Sequence, residues 1–328
     1  MNQFILPKLY CPFPSKINKY VEILEDYAFE WVLRFKLLEN ESIYRRFCKS
    51  KIFWLAASVY PDCQLEELKI GNDWLSVLFI WDDQCDLPDF RKRPELLKVY
   101  HKRFIQILNG SEPTKDDVPL CYALSDLRKR MLKIGMEKSY RYVVDSFQKY
   151  FNGCVEEATN RLQGIVPDIN SYIKLRSLSV AVEIAIDLSE FCNQLMIPDF
   201  FREHQTVQKL RKKTTNIIAW CNDIFSVFRE MKNDDVHNLV TVLHYQQGIS
   251  LEQAIFDAAK MHDQEVQYFI NLEASLPSFG KQVDIKFAKY ISLMYSWIRG
   301  SYDWYSHSGR YHTLENLELV KSLELVKS

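Results

Sequence analysis

Apolar residues recur every three to four positions along most of the chain, and no window alternates apolar and polar residues as a half-buried strand would. Over residues 20–38 the repeat passes through Ile23, Leu24, Tyr27, Trp31 and Leu33. The same spacing predicts a helix over 43–60, stopped by Pro61, after which Asp62 is placed to cap a helix ending in the apolar run 74–81. Leu87-Pro88 disfavours its continuation. Helical periods return over 94–108, 120–134 and 136–162, with Asn109-Gly110 and 164–167 as breaks. Asp168 or Asn170 can cap the next helix, which carries Tyr172, Leu175 and Arg176 ahead of the apolar stretch 180–188. A helix apolar on most sides belongs at the centre of a bundle. Further helices are expected over 200–231, 237–247, 251–276 and 283–307. Residues 1–17, with Pro7, Pro12 and Pro14, read as a non-helical strap over the body. Residues 313–328 read as a tail in which LELVKS (317–322) is repeated at once (323–328), too short to build a solenoid.

Composition sharpens this to an all-α chain with no internal segment resembling a domain linker. Glycine (9) and proline (11) are scarce in 328 residues, so few tight turns are available and long helices are favoured over many short strands. The 47% apolar content is ample for a core. A net charge of −1 provides no field for nucleic acid or an anionic membrane. No apolar run is long enough to span a bilayer and no leader pattern precedes the first helix, so a cytoplasmic protein is expected. The eight cysteines are dispersed without a C-x-x-C pair and read as reduced, mostly buried thiols. The many aromatics (20 Phe, 18 Tyr, 7 Trp) suit core packing, and they equally suit a pocket for a large apolar ligand.

Two polar patterns interrupt the apolar helices. Asp82-Asp83-Gln84-Cys85-Asp86 closes the run 74–81. On a helix Asp82 and Asp86 share a face, while Asp83 points about 100° away. Carboxylates at a helix C-terminus oppose its dipole, and a hard divalent cation with oxygen ligands, Mg²⁺ above all, offsets that cost. The plain alternative is a solvated acidic turn. Far downstream Asn222, Ser226 and Glu230 stand at i, i+4 and i+8, so an amide, a hydroxyl and a carboxylate climb one helix face. Such stripes are commonly just solvated, yet this one lies among Ile217, Trp220, Ile224, Phe225 and Phe228. Polar groups on so apolar a helix usually line something.

Together, Asp-Asp-x-x-Asp and Asn-Asp-x-x-Ser-x-x-x-Glu resemble the paired motifs of class I terpene synthases of the bacterial type. Arg176 stands where that family has its pyrophosphate-sensing arginine, and Arg229 where it has a lysine or arginine. Trp297-x-x-Gly300-x-x-x-Trp304 leads into Arg310-Tyr311, similar to the family's diphosphate-binding pair. Cys11-Pro12-Phe13-Pro14 and His237-Asn238-Leu239-Val240 add to the likeness, which runs over about residues 10–312.

The resemblance implies one α-domain, residues 18–312, whose helical bundle surrounds an apolar cavity with both motifs at its mouth. It implies Asp82, Asp83, Asp86, Asn222, Ser226 and Glu230 as ligands of three Mg²⁺, with Mn²⁺ as a substitute ion. Arg176, Asn222, Arg229, Arg310 and Tyr311 would bind the substrate diphosphate. Ser179 and Val180 would hold the linker and effector positions at a helix break, where the family often has glycine at the effector. Phe79 and Trp304 are candidate cation-stabilising faces of the pocket, with Val180 beside them. The implied reaction is ionisation and cyclisation of a linear prenyl diphosphate, farnesyl diphosphate to a sesquiterpene. A diterpene synthase acting on geranylgeranyl diphosphate is the alternative. Chain-elongating prenyltransferases carry a second Asp-Asp-x-x-Asp where this chain has the Asn/Ser/Glu set. A non-catalytic isoprenoid-binding protein would have no reason to keep two chelating stripes and three arginines. Neither nucleic acid nor membrane is an expected partner, and a homodimer is compatible with the family.

Overall fold

The computed structural model describes residues 6–233 and 235–311. The repeated tail and the first five residues of the strap lie outside the described residues. Among these residues there are helices and no strands.

Residues 6–18 form no helix and lie against later helices of the bundle. Phe13 stacks on Tyr295 with ring centroids 4.5 Å apart, and the Tyr10 amide donates to Asp263 Oδ1 at 2.8 Å. The helices then follow: α1 (Val21–Arg34), α2 (Glu41–Ser50), α3 (Ile52–Val59), α4 (Leu65–Cys85), α5 (Pro88–Arg91), α6 (Pro94–Leu108), α7 (Pro119–Lys133) and α8 (Glu137–Gln163). After them come α9 (Ile169–Ser179), α10 (Val182–Cys192), α11 (Asp199–Arg202), α12 (Gln205–Lys232), α13 (Leu239–Gln247), α14 (Leu251–Ala274) and α15 (Lys281–His307). At the centre is α10, in contact with α4, α8, α12 and α15, and every one of its residues but Glu183 is buried. That is the place its all-round apolarity demands. All eight cysteines are free thiols, and no helix among the described residues is long and apolar enough to cross a membrane.

Several boundaries differ from the periodic reading, each for a local reason. The segment 43–60 is two helices, because Lys51 takes the left-handed conformation (φ 50°) between α2 and α3. The carbonyls freed there are not lost: Trp304 Nε1 donates to Ser50 O at 2.7 Å, and Ser308 Oγ reaches the same oxygen at 2.9 Å. Asp62 is not the cap of α4. Gln64 occupies that position, and Asp62 instead pairs with Lys16 on the surface at 3.4 Å. The segment 200–231 is interrupted after α11, and His204 caps α12. Residue 237 precedes α13, because Asn238 accepts from the Val240 and Thr241 amides as its cap. Of the two candidates before α9, Asp168 is the one whose carboxylate caps it.

Gly300 positions the last long helix. A Cβ there would come within 2.9 Å of Val59 Cγ1 and 3.0 Å of the Ser58 carbonyl carbon, so only glycine lets α15 lie this close to α3.

Candidate functional site

A cavity of about 1,020 Å³, counting its open mouth, runs into the bundle beside α10. Its inner wall is built of Leu55, Leu75, Leu78, Ala185, Ile218 and Trp297. Its mouth is polar. Asp82 and Asp86 from the end of α4 face Asn222, Arg229 and Glu230 from α12, with Arg176, Arg310 and Tyr311 between them. Segments more than a hundred residues apart thus converge on one opening.

Asp86 is the C-cap of α4 and keeps helical dihedrals (φ −80°, ψ −11°), which holds it on the Asp82 face. Asp83 does not line this cavity. It turns into a neighbouring hollow and is paired with Arg310 Nη1 at 2.8 Å and Arg46 Nη2 at 3.3 Å. Arg310 Nη2 also reaches Asp82 Oδ2 at 3.2 Å, so this buried guanidinium ties both aspartates together. Its charge lies 5.4 Å from the Phe79 ring centroid, and Phe79 in turn lies 5.2 Å from the Trp304 ring. Both rings line the cavity.

On α12, Asn222 accepts from Arg176 Nη2 at 2.8 Å and donates to the Tyr311 hydroxyl at 3.1 Å. Glu230 accepts from Asn238 Nδ2 at 2.8 Å. Ser226 is 1% exposed, donates back to the Asn222 carbonyl at 2.7 Å and does not line the cavity. Between these residues sits Asp223, wholly buried, which accepts from the Tyr172 hydroxyl, from Arg176 Nε at 3.1 Å and from the Leu239 amide at 3.0 Å. Asp223 therefore orients Arg176. Its only sequence signal was its place beside Asn222.

At the α9–α10 junction, Val180 ends α9 and Ala181 adopts φ 61°. Alanine in this region costs about 1–2 kcal/mol, and such strain persists only where its surroundings over-determine it. The helical ladder of α9 ends where the Val180 amide donates to the Arg176 carbonyl at 3.1 Å, the α10 ladder begins where the Ala185 amide donates to the Ala181 carbonyl at 3.2 Å, and Ser179, Val180 and Ala181 line the cavity between the two. A further polar group lies here, Glu157 and Arg161 of α8 with Asp235 and His237 from the α12–α13 loop, and of these the sequence had marked His237 alone. Arg161 Nη2 bridges Asp235 at 2.8 Å and Glu157 at 3.2 Å. Glu157, Arg161 and Asp235 carry no motif spacing and meet only in three dimensions.

The crowding of acids is visible in their protonation. Burial, then the Asp82 charge, push the Asp86 carboxyl up to about 7, against the pull of Arg161. Burial also raises Asp82, with Arg310 opposing. Asp235, by contrast, is held well below the usual range despite burial, by Arg161 and by hydrogen bonds from His237. Because the folded-state value of Asp86 lies above its ordinary one, the folded state binds the extra proton in between, and stability falls as pH rises from about 4 to about 7. Asp86→Asn should accordingly raise the ligand-free melting temperature at pH 8 by about 1.5 °C or more, the shift that 1 kcal/mol produces in a chain of this size. An unchanged or lower value in a pH-resolved melting series would contradict the repulsion.

The donor set at the mouth is made of oxygens, from carboxylates and an amide, which suits a hard divalent cation. Among the described residues no group of three or more His, Cys, Asp or Glu is arranged to hold a metal ion by itself. Ligand oxygens supplied by a bound diphosphate would complete such a shell.

Residues 73–267 match the family model described as terpene synthase family 2, C-terminal metal binding. The chain is 56% identical over 321 residues to a germacrene A synthase of Nostoc punctiforme, an alignment covering 98% of this chain and 99% of that protein. It is 33% identical to a (+)-T-muurolol synthase ((2E,6E)-farnesyl diphosphate cyclizing) of Roseiflexus castenholzii, with 98% and 99% covered. Among solved structures it is similar to germacradien-4-ol synthase from Streptomyces citricolor, with a TM-score of 0.81, 25% identity, and 92% and 98% of the two chains covered.

Proposed function

This chain belongs to the terpene synthase family, and on that premise we propose that it ionises farnesyl diphosphate and cyclises the C15 chain to a sesquiterpene, releasing diphosphate. The observation that carries this reading is the convergence of Asp82, Asp86, Asn222, Glu230, Arg176 and Arg310 on the mouth of one apolar cavity. The germacrene A synthase likeness makes a ten-membered-ring hydrocarbon the favoured product, formed by ring closure and loss of a proton.

Asp82, Asp86, Asn222 and Glu230 would hold Mg²⁺, three ions by family likeness, with Mn²⁺ as a substitute. Bound there, the cations neutralise the diphosphate as it leaves. Arg176, already oriented by Asp223, offers its guanidinium to the phosphate oxygens, with the Tyr311 hydroxyl beside it across Asn222 and Arg310 next to Asp82. Arg310 must exchange its pairing with Asp82 for the ligand when the carboxylate turns to a cation. The apolar wall excludes water from the allylic cation, and the Phe79 and Trp304 faces stabilise it by roughly 0.5 to 2 kcal/mol each. Asp83, on the far side of Arg310, is suited to steering that arginine.

Separate incubations with geranyl, farnesyl and geranylgeranyl diphosphates and Mg²⁺, followed by gas chromatography, test the reading. A cyclic C15 hydrocarbon from the farnesyl substrate is expected. Turnover of geranylgeranyl diphosphate alone would shift the assignment to a diterpene synthase. Calorimetry tests the shared shell: Mg²⁺ binds weakly to the free protein and more tightly once pyrophosphate is present. Tight, stoichiometric Mg²⁺ binding that pyrophosphate leaves unaltered would count against it.

A further inference from the structure

The left-handed alanine between α9 and α10 needs something to hold it, and the neighbouring helix supplies two features that no sequence motif marks. Gly153 and Glu157 stand one turn apart on α8, facing the end of α9. A Cβ on Gly153 would lie 2.9 Å from the Ser179 nitrogen and 3.0 Å from Leu178 Cβ, so the α9 terminus presses against bare α8 backbone. One turn on, Glu157 Oε1 accepts from the Ser179 hydroxyl at 2.5 Å. Both partners are buried, Glu157 at 9% and Ser179 at 6% exposure.

A carboxylate is badly placed there on electrostatic grounds, since the C-terminus of α9 already carries the negative end of its dipole. Arg161 offsets this by donating to the second oxygen, Glu157 Oε2, at 3.2 Å. The same guanidinium is anchored by Asp235 at 2.8 Å, on the loop whose Asp235 amide donates to the Glu230 carbonyl at 3.0 Å. A hydroxyl held through a charge-neutralised carboxylate is a specific tether, and an apolar side chain of similar size would secure packing alone.

We propose that Glu157 is a positioning residue of the cyclisation: with Gly153 as its close-packed neighbour, it tethers Ser179 and so sets where the Val180–Ala181 break presents its carbonyls to the substrate cation. The inference rests on the cyclase reading above and adds a residue outside the metal and diphosphate sets. Because the tether acts on the hydrocarbon end of the reaction, it governs how the cation folds and closes more than how tightly the diphosphate is held.

Glu157→Gln and Ser179→Ala test it, singly and together. The first keeps shape and an acceptor oxygen but loses the charge that Arg161 pairs with; the second removes one hydroxyl. With farnesyl diphosphate and Mg²⁺, each should lower kcat about tenfold to a hundredfold, the scale of a small misplacement of reacting groups, while KM stays close to that of the parent. The share of acyclic alcohols from water capture should rise at the expense of the cyclic product. The double variant should be no worse than the poorer single one, because both cut the same tether. The rise in melting temperature with Mg²⁺ and pyrophosphate should match the parent's in all three. Unchanged kcat and products in either single variant would overturn the tether, and so would additive losses. A diminished pyrophosphate response with an unaltered product profile would move Glu157 into the diphosphate site and overturn the inference as well. If Glu157→Gln loses its helical circular dichroism, Ser179→Ala carries the test by the same criteria. A parent inactive on all three prenyl diphosphates sinks the functional reading and this inference with it; an active parent with unaltered variants sinks the inference alone.

Discussion

Asp82→Ala and Glu230→Ala should each reduce turnover of farnesyl diphosphate by at least about 10² to 10³-fold, the range seen when one pre-placed electrostatic group is removed from a developing charge. Their folds should survive. Without the Asp82 carboxylate, Arg310 keeps its 2.8 Å partner Asp83. Without the Glu230 carboxylate, Asn238 still donates to the Asp223 carbonyl at 2.8 Å and caps α13, so what goes is the Asn238 hydrogen bond, worth about 1 kcal/mol, and a long 3.5 Å contact with Arg229. Steady-state rates beside circular dichroism separate the two effects. Near-parental turnover at low Mg²⁺ in either variant would remove that residue from the metal set.

The second large effect concerns Arg176 and Arg310. Each is a guanidinium with fixed, forked donors: Arg176 spans Asp223 and Asn222, and Arg310 spans Asp82 and Asp83. Lysine supplies a point charge and cannot reproduce two such contacts at once. In the presence of Mg²⁺, pyrophosphate should raise the melting temperature of the parent, because a ligand stabilises the state that binds it. A tenfold loss of affinity in Arg176→Lys or Arg310→Lys takes about 1.4 kcal/mol from that stabilisation, roughly 2 °C. The ligand-free melting temperatures should fall less, since the retained charge still faces the buried carboxylates. An arginine whose lysine variant shows the full shift does not touch the diphosphate.

The contrast between Asp82 and Asp83 shows how far a motif can be read. Their spacing correctly set the two apart by about 100°, and it left open what each would meet. The structure gives Asp83 to Arg310 and Arg46 and leaves Asp82 at the cavity mouth with its 3.2 Å contact to Arg310. Ser226 makes the same point from the other helix. Its position on the Asn222 face was legible, but its hydroxyl turns back to the Asn222 carbonyl, as serine in a helix often does.

By itself the sequence determined the all-α class, most helix positions, the central place of α10 and which polar residues share a helix face in each of the two motifs. These properties are periodic and local: burial of one helix face is written every three to four residues, and i, i+4 neighbours share a face in any helix. Only the tertiary structure decided the breaks at Lys51 and Ala181. Neither residue favours a positive φ, and at Lys51 the freed carbonyl is taken by Trp304 and Ser308, some 250 residues away. The Glu157–Arg161–Asp235 cluster was likewise invisible, because only the packing of α8 against the end of α9 and the α12–α13 loop brings its members within hydrogen-bonding distance. Periodicity records how much of a helix is buried; which distant group meets each buried polar atom depends on how the helices pack, and no local pattern carries that information.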